Sequence, residues 1–282
     1  MKALYDVPAP AKLNLFLHVV GRRADGYHEL QSVFMLVDWC DRLHFERRPG
    51  GKLPREDLTV PLPEDDLILR AARALQSHTA CDLGAHIAVE KRIPSQAGLG
   101  GGSSDAASCL LALNQLWGLG LSRRALARIG LSLGADVPFF IGGDNAWVEG
   151  IGESLTPVAV PAARFVIVKP AAGLETARIF GHPDLKRDSD RATLAGFAAD
   201  PFGFGANDLQ PVARLMCPEV DEALRWLEKA GLHGRMTGSG SAVFAPMAPG
   251  QEWHGTCPGD WQVHVCGNMA VHPLKDWASS DD

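Results

Sequence analysis

The chain has 282 residues, 46% hydrophobic and 21% charged, with a formal net charge of −6. That is enough apolar material for one large domain or two ordinary ones, while the acidic balance argues against a nucleic-acid surface, which is normally basic. No apolar run reaches the ~18 residues of a membrane span, Met1 to Pro8 lacks a signal-peptide core, and six scattered cysteines (Cys40, Cys81, Cys109, Cys217, Cys257, Cys266) with no CxxC pair read as reduced thiols; the expectation is a cytoplasmic protein that binds neither nucleic acid nor membrane.

In chain order, Leu13, Leu15, Leu17 and Val19 alternate, which predicts a strand over 12–20. A period of two sets Lys12 and Asn14 side by side on its other face. By pattern alone Lys12 is an exposed strand-end lysine. Asp25-Gly26 forms a turn that presents Tyr27 and His28. An aromatic face can stack on a pyrimidine and an imidazole can bond its edge, although a core tyrosine beside a surface histidine has the same sequence. Strands follow at 32–37 and 42–46, then a loop over 47–63 rich in proline, glycine and charge. Asp65 or Asp66 caps a helix with Ile68, Ala71, Ala72 and Leu75 on one face, and 86–90 is a short strand.

The densest signal is Pro94 to Ala107, PSQAGLGGGSSDAA. Gly98, Gly100, Gly101 and Gly102 permit close backbone approach, and successive free amides in such a loop form an anion nest. Ala106, Cys109, Leu110, Leu113, Leu116 and Trp117 recur at helical spacing, with Ser104 or Asp105 to cap the start and Gly118 to end the helix. A glycine loop that opens a helix favours phosphate at the helix N-terminus; a flexible linker would not lead into so clean a helix. No Gly-Lys-Ser/Thr follows, so this is not a Walker A loop, and Ser103 stands where the dinucleotide fingerprint has its last glycine. Lys91 or Arg92, just upstream, can meet a phosphate or remain solvated.

Beyond the loop helix, 121–130 is a second helix capped by Ser122. Asp136 precedes Val-Pro-Phe-Phe. A carboxylate there is paired or protonated, or it caps a helix with Pro138 just inside. Turns at 142–143 and 150–153 flank a strand at 145–148, and prolines between 156 and 161 mark a boundary. A strand at 164–169 precedes Thr176 and Phe180. The stretch 188–204 reads as loop, and Asn207-Asp208-Leu209 opens a helix that Pro218 interrupts before it resumes at 220–229. Thr237-Gly238-Ser239-Gly240-Ser241 lies between two strand-like runs and by itself is a hairpin. The tail has one strand at 261–266. His264 and Cys266 stand two residues apart without a further partner, which is no metal site.

The glycine stretch resembles the ATP-phosphate motif of the GHMP kinases, the family of galactokinase, homoserine kinase and mevalonate kinase. Pro10-Ala-Lys-Leu-Asn-Leu15, Gly134-Ala-Asp-Val-Pro138 and Thr237-Gly-Ser-Gly-Ser241 resemble its other motifs in order. The resemblance implies an α+β, two-domain GHMP-kinase-like fold with the active site in the interdomain cleft, residues 1–158 binding ATP and residues 159–282 the acceptor. It implies Asp136 as general base and Lys12 as the cation beside the reacting hydroxyl. Pro94, Gly98, Leu99 and Gly100 to Asp105 would cradle ATP, and Ser103 or Ser104 would contact Mg²⁺. Arg23-Ala-Asp-Gly-Tyr-His-Glu-Leu30 is similar to a segment of the branch that phosphorylates the 2-hydroxyl of a cytidine diphosphate-linked methylerythritol, in non-mevalonate isoprenoid synthesis. There Asn14, Tyr27, His28, Thr176, Phe180, Gly238 and Ser239 would hold the acceptor, the rings of Tyr27 and Phe180 sandwiching the cytosine. Mevalonate, homoserine and sugars, acceptors elsewhere in the family, carry no base to stack. A non-catalytic nucleotide sensor could dispense with Lys12 or Asp136, and both are present. Gln96 departs from the pattern, standing where glycine is common.

Overall fold

The computed structural model describes residues 1–255 and 258–280, which leaves Cys257 outside. Two long strands carry its first half. β1 (Ala3–Arg22) and β2 (His28–Arg48) pair antiparallel from Ala3↔Glu46 to Arg22↔His28. The sequence predicts two strands where β2 runs unbroken. The reason lies in the register: Pro10 pairs with Cys40 but Ala11 pairs with Val37, so the chain bulges at Asp38 and Trp39 without ending the strand. Pro8 and Pro10 are tolerated because, among the described residues, β1 pairs only with β2 as a strand.

The expected loop over 47–63 contains β3 (Arg55–Asp57), too short to show periodicity, which runs parallel to β4 (Gly84–Glu90). Between them lies α1 (Leu67–Thr79), capped by Asp66, whose carboxylate accepts from Leu69 N at 3.1 Å. Next come α2 (Gly101–Trp117), α3 (Arg123–Leu131), capped by Ser122, and α4 (Val137–Gly142), then β5 (Ala146–Glu149) and β6 (Ser154–Pro157). The sheet order is β3-β4-β2-β5-β6, with β1 on β2.

The second half opens with β7 (Arg164–Lys169) and α5 (Thr176–Phe180). A short helix, α6 (Leu194–Ala199), replaces part of the loop expected over 188–204; the Thr193 side chain caps it and Phe197 anchors it in the core. Then follow α7 (Gln210–Met216), α8 (Pro218–Lys229), β8 (Arg235–Met236), β9 (Val243–Met247) and β10 (Gln262–Gly267). The antiparallel order is β10-β7-β9-β8. The chain then returns to the first sheet, where Asn268 bridges to Val37 and Lys275 pairs with Asp144.

Strand alternation divides the core. Phe34 and Leu36 of β2 pack with the helices of the first half, whereas Val33, Met35 and Val37 pack with Phe165, Ile167 and Phe244 of the second sheet. Among the described residues no helix is long and apolar enough to cross a membrane.

Candidate active site

A cleft of about 880 Å³ opens where the two halves meet, and the glycine loop forms its wall. Close approach explains the glycines. Gly98 (φ +73°) lies so near the β8–β9 connection that a Cβ would sit 2.2 Å from Thr237 O, and at Gly100 (φ +72°) one would meet Phe140 and Lys12 at 3.0–3.1 Å. The loop is stitched on both sides. Lys12 N donates to Leu99 O at 2.9 Å, while Ser241 N and Ala242 N donate to Gln96 O and Ala97 O at 3.2 Å. The Thr237–Ala242 stretch thus joins two paired strands and also backs the loop. Gln96 adopts the left-handed conformation (φ +51°) that favours glycine, and its side chain lies over Gly173.

The loop helix starts earlier than Ser104 or Asp105. Its cap is Gly100 in the left-handed region, and α2 begins at Gly101. The first-turn bond is Ser104 N to Gly100 O at 2.9 Å. The amides of Gly101, Gly102 and Ser103 therefore have no helical partner and carry the positive end of a 17-residue helix. Ser103 lines the cleft; Ser104 is fully buried, and among the described residues its hydroxyl has no partner.

Lys12 and Asn14 share one face of β1, as the strand period requires, but Lys12 is buried there rather than exposed at a strand end, because the glycine loop packs over it at Gly100. The Ser32 hydroxyl donates to Phe16 O at 2.5 Å, so its lone pair accepts from Asn14 Nδ2 at 2.9 Å. That leaves Asn14 Oδ1 to accept from Lys12 Nζ at 2.5 Å, and Thr237 Oγ1 holds the Asn14 backbone at 2.9 Å. Lys12 Nζ also lies 4.4 Å from the Phe34 ring centroid and 3.6 Å from Asp136 Oδ2. Burial pushes the Lys12 ammonium down from its ordinary value, and Asp136 partly restores it. Asp136 precedes α4, with Pro138 inside, but its side chain makes no capping bond, so the carboxylate faces Lys12 in the cleft.

No local pattern in the sequence marks Asp41. It is fully buried, and Lys91 forms ion pairs with both Asp41 and Asp105. Asp41 Oδ1 also accepts from the amides of Arg92 and Ile93, which fixes the entry to the glycine loop. Burial pushes the Asp105 carboxyl up to about 8, against the pull of Lys91. These partners lie 50 and 14 residues from Lys91 and leave no sequence pattern. Arg92 pairs with Glu90.

Asn14, Thr176, Phe180, Gly238 and Ser239 share the cleft with Pro94, Gly98, Leu99, Gly100 and Asp105. Thr176 Oγ1 and Ser239 Oγ are hydrogen-bonded at 2.6 Å. Tyr27 stands apart, 61% exposed, and the ring that faces Phe180 is His28, at 5.1 Å and 32°.

Family models agree with this layout. Residues 66–144 match the GHMP kinases N terminal domain and residues 191–252 the GHMP kinases C terminal. Over 286 residues, covering 100% of both chains, the sequence is 62% identical to a 4-diphosphocytidyl-2-C-methyl-D-erythritol kinase of Paracidovorax citrulli. The chain is a GHMP kinase. A second relative of that name, from Acidovorax sp. (strain JS42), is 63% identical over 281 residues, covering 98% of this chain and 99% of the relative. A crystal structure of 4-(cytidine 5'-diphospho)-2C-methyl-D-erythritol kinase superposes with a TM-score of 0.75 at 36% identity, over 85% of this GHMP kinase and 88% of that chain. A mevalonate kinase structure at 13% identity (TM-score 0.67, 95% of this chain and 99% of the other) shares the fold.

Proposed function

We propose that this GHMP kinase transfers the γ-phosphoryl group of ATP to the 2-hydroxyl of 4-diphosphocytidyl-2-C-methyl-D-erythritol, in the cytoplasm, as a step toward isoprenoid precursors. The relatives' names supply the acceptor. The observation that carries the chemistry is the 3.6 Å approach of Lys12 Nζ to Asp136 Oδ2, beside the free amides that open α2. In this reading residues 1–158 bind ATP and supply both catalytic groups, and residues 159–282 complete the acceptor pocket.

The acceptor hydroxyl is tertiary and does not ionise near neutral pH. Asp136 takes its proton as the bond to phosphorus forms. Lys12, held by Asn14, attracts the developing alkoxide and the transferring group. Phosphoryl transfer gains chiefly from positioning and charge stabilisation, and the amides of Gly101 to Ser103 supply both to the ATP phosphates. The site fits Mg²⁺, which takes phosphate oxygens and waters and needs few protein ligands: the Ser103 hydroxyl lines the cleft at the opening of α2. When bound, the ion would neutralise phosphate charge.

Asp136→Asn should lower turnover about 10²- to 10⁴-fold with ATP binding retained, measured as ADP release with the cytidine-linked acceptor. Release with mevalonate or homoserine alone would replace the acceptor, and ATP binding without release on any acceptor would make the protein a nucleotide sensor.

A further inference from the structure

Arg187, beyond α5, has no part in the phosphoryl-transfer chemistry. Its guanidinium donates to the carbonyls of Phe180, His182, Pro183 and Leu185 at 2.8–3.4 Å. A fifth bond runs from its Nε to His28 Nε2 at 3.0 Å. An arginine Nε is always a donor. His28 Nε2 must therefore be the acceptor, and the neutral ring carries its proton on Nδ1. Burial, then Arg187 and Arg22, hold His28 below its ordinary value, in line with the acceptor role of Nε2. Among the described residues nothing bonds to Nδ1. The ring lies along Phe180, and Phe180 lines the cleft.

We propose that Arg187 is a positioning residue for base selection: by donating to Nε2 it presents His28 as an Nδ1–H donor, which accepts cytosine and rejects uracil. This rests on the cytidine-linked acceptor named above. Cytosine N3 carries a bare lone pair, so the imidazole N–H meets an acceptor. Uracil N3 carries a proton, so two donors face each other and neither is satisfied. An unheld imidazole flips or changes tautomer and offers its own lone pair to uracil N3–H. Arg187 removes that choice while it fastens the turn bearing Phe180, so stacking surface and donor are set together.

The test compares kcat/KM for the cytidine-linked acceptor and its uridine counterpart in wild type and Arg187→Ala. The cytidine-over-uridine ratio should fall about tenfold or more, through KM, with kcat on the cytidine acceptor largely kept. An equal loss on both acceptors, with the ratio unchanged, would reduce Arg187 to a loop fastener and overturn the proposal. Nitrogen-15 NMR of the His28 imidazole in wild type gives an answer even where Arg187→Ala fails to fold: a proton on Nδ1 supports the assignment, and one on Nε2 refutes it. His28→Ala separates the two layers. If that variant keeps the wild-type ratio, His28 does not read the base and base selection lies elsewhere. If wild type turns over neither acceptor, the acceptor reading has failed, while the NMR result still judges the hold of Arg187 on the tautomer.

Discussion

Lys12 and Lys91 line the same cleft, and both are largely buried, yet their surroundings assign them opposite tasks. Lys91 lies between two buried carboxylates, Asp41 and Asp105. Burial alone would push it down, but Asp105 and Asp41 carry it up. Its charge is consumed in holding the loop entry to β2. Lys12 has a neutral amide and one partly exposed carboxylate 3.6 Å away, and burial prevails, pushing it down. A buried charge without a full counter-charge is costly unless a ligand completes it. In the proposed mechanism Lys12 is the cation kept for substrate, whereas Lys91 is built into the frame.

Removing Lys91 should have the largest effect. Lys91→Met leaves Asp41 and Asp105 facing each other in the interior, and breaking such a buried set costs about 3–5 kcal/mol. Chemical denaturation should show that loss; a midpoint close to wild type would mean that Lys91 is not the structural cation. Lys12→Met should do the converse. Stability should hold or rise slightly, while turnover falls about 10²- to 10³-fold, the range for losing one group that stabilises transition-state charge. A variant crippled in folding and not in turnover would reverse the assignment of the two lysines.

The smallest effect sharpens the contrast through pH. The folded-state value of Asp105 is raised from 3.8 to about 8. A raised carboxyl stabilises the fold in its protonated form, so the contribution is whole below the unfolded value and is lost as pH rises through the folded one. Asp105→Asn imitates the protonated form. Its stability should match wild type near pH 4 and exceed it increasingly toward pH 8, followed by thermal unfolding across that range. Parallel curves would place the proton elsewhere in the cluster.

What the sequence determined is whatever depends on near neighbours. Period-two alternation places Lys12 and Asn14 on one face of β1. Ser122 caps α3 and an aspartate at 65 or 66 starts α1, the structure choosing Asp66, and an apolar run gives β7 at 164–169. The glycines mark a loop of close approach, where at Gly98 and Gly100 neighbouring protein atoms leave no room for a Cβ. The start of α2 leaves no side-chain signal, because its cap is a backbone conformation at Gly100 and not a side chain at Ser104 or Asp105. Tertiary structure alone decided the rest. A bulge at Asp38 and Trp39 keeps β2 whole, and β3 and α6 exist by pairing and packing rather than by pattern. Asp41 meets Lys91, Ser32 orients Asn14, and Arg187 meets His28 across 50, 18 and 159 residues respectively. Such partners are set by how sheets and loops converge, and no local periodicity records that convergence.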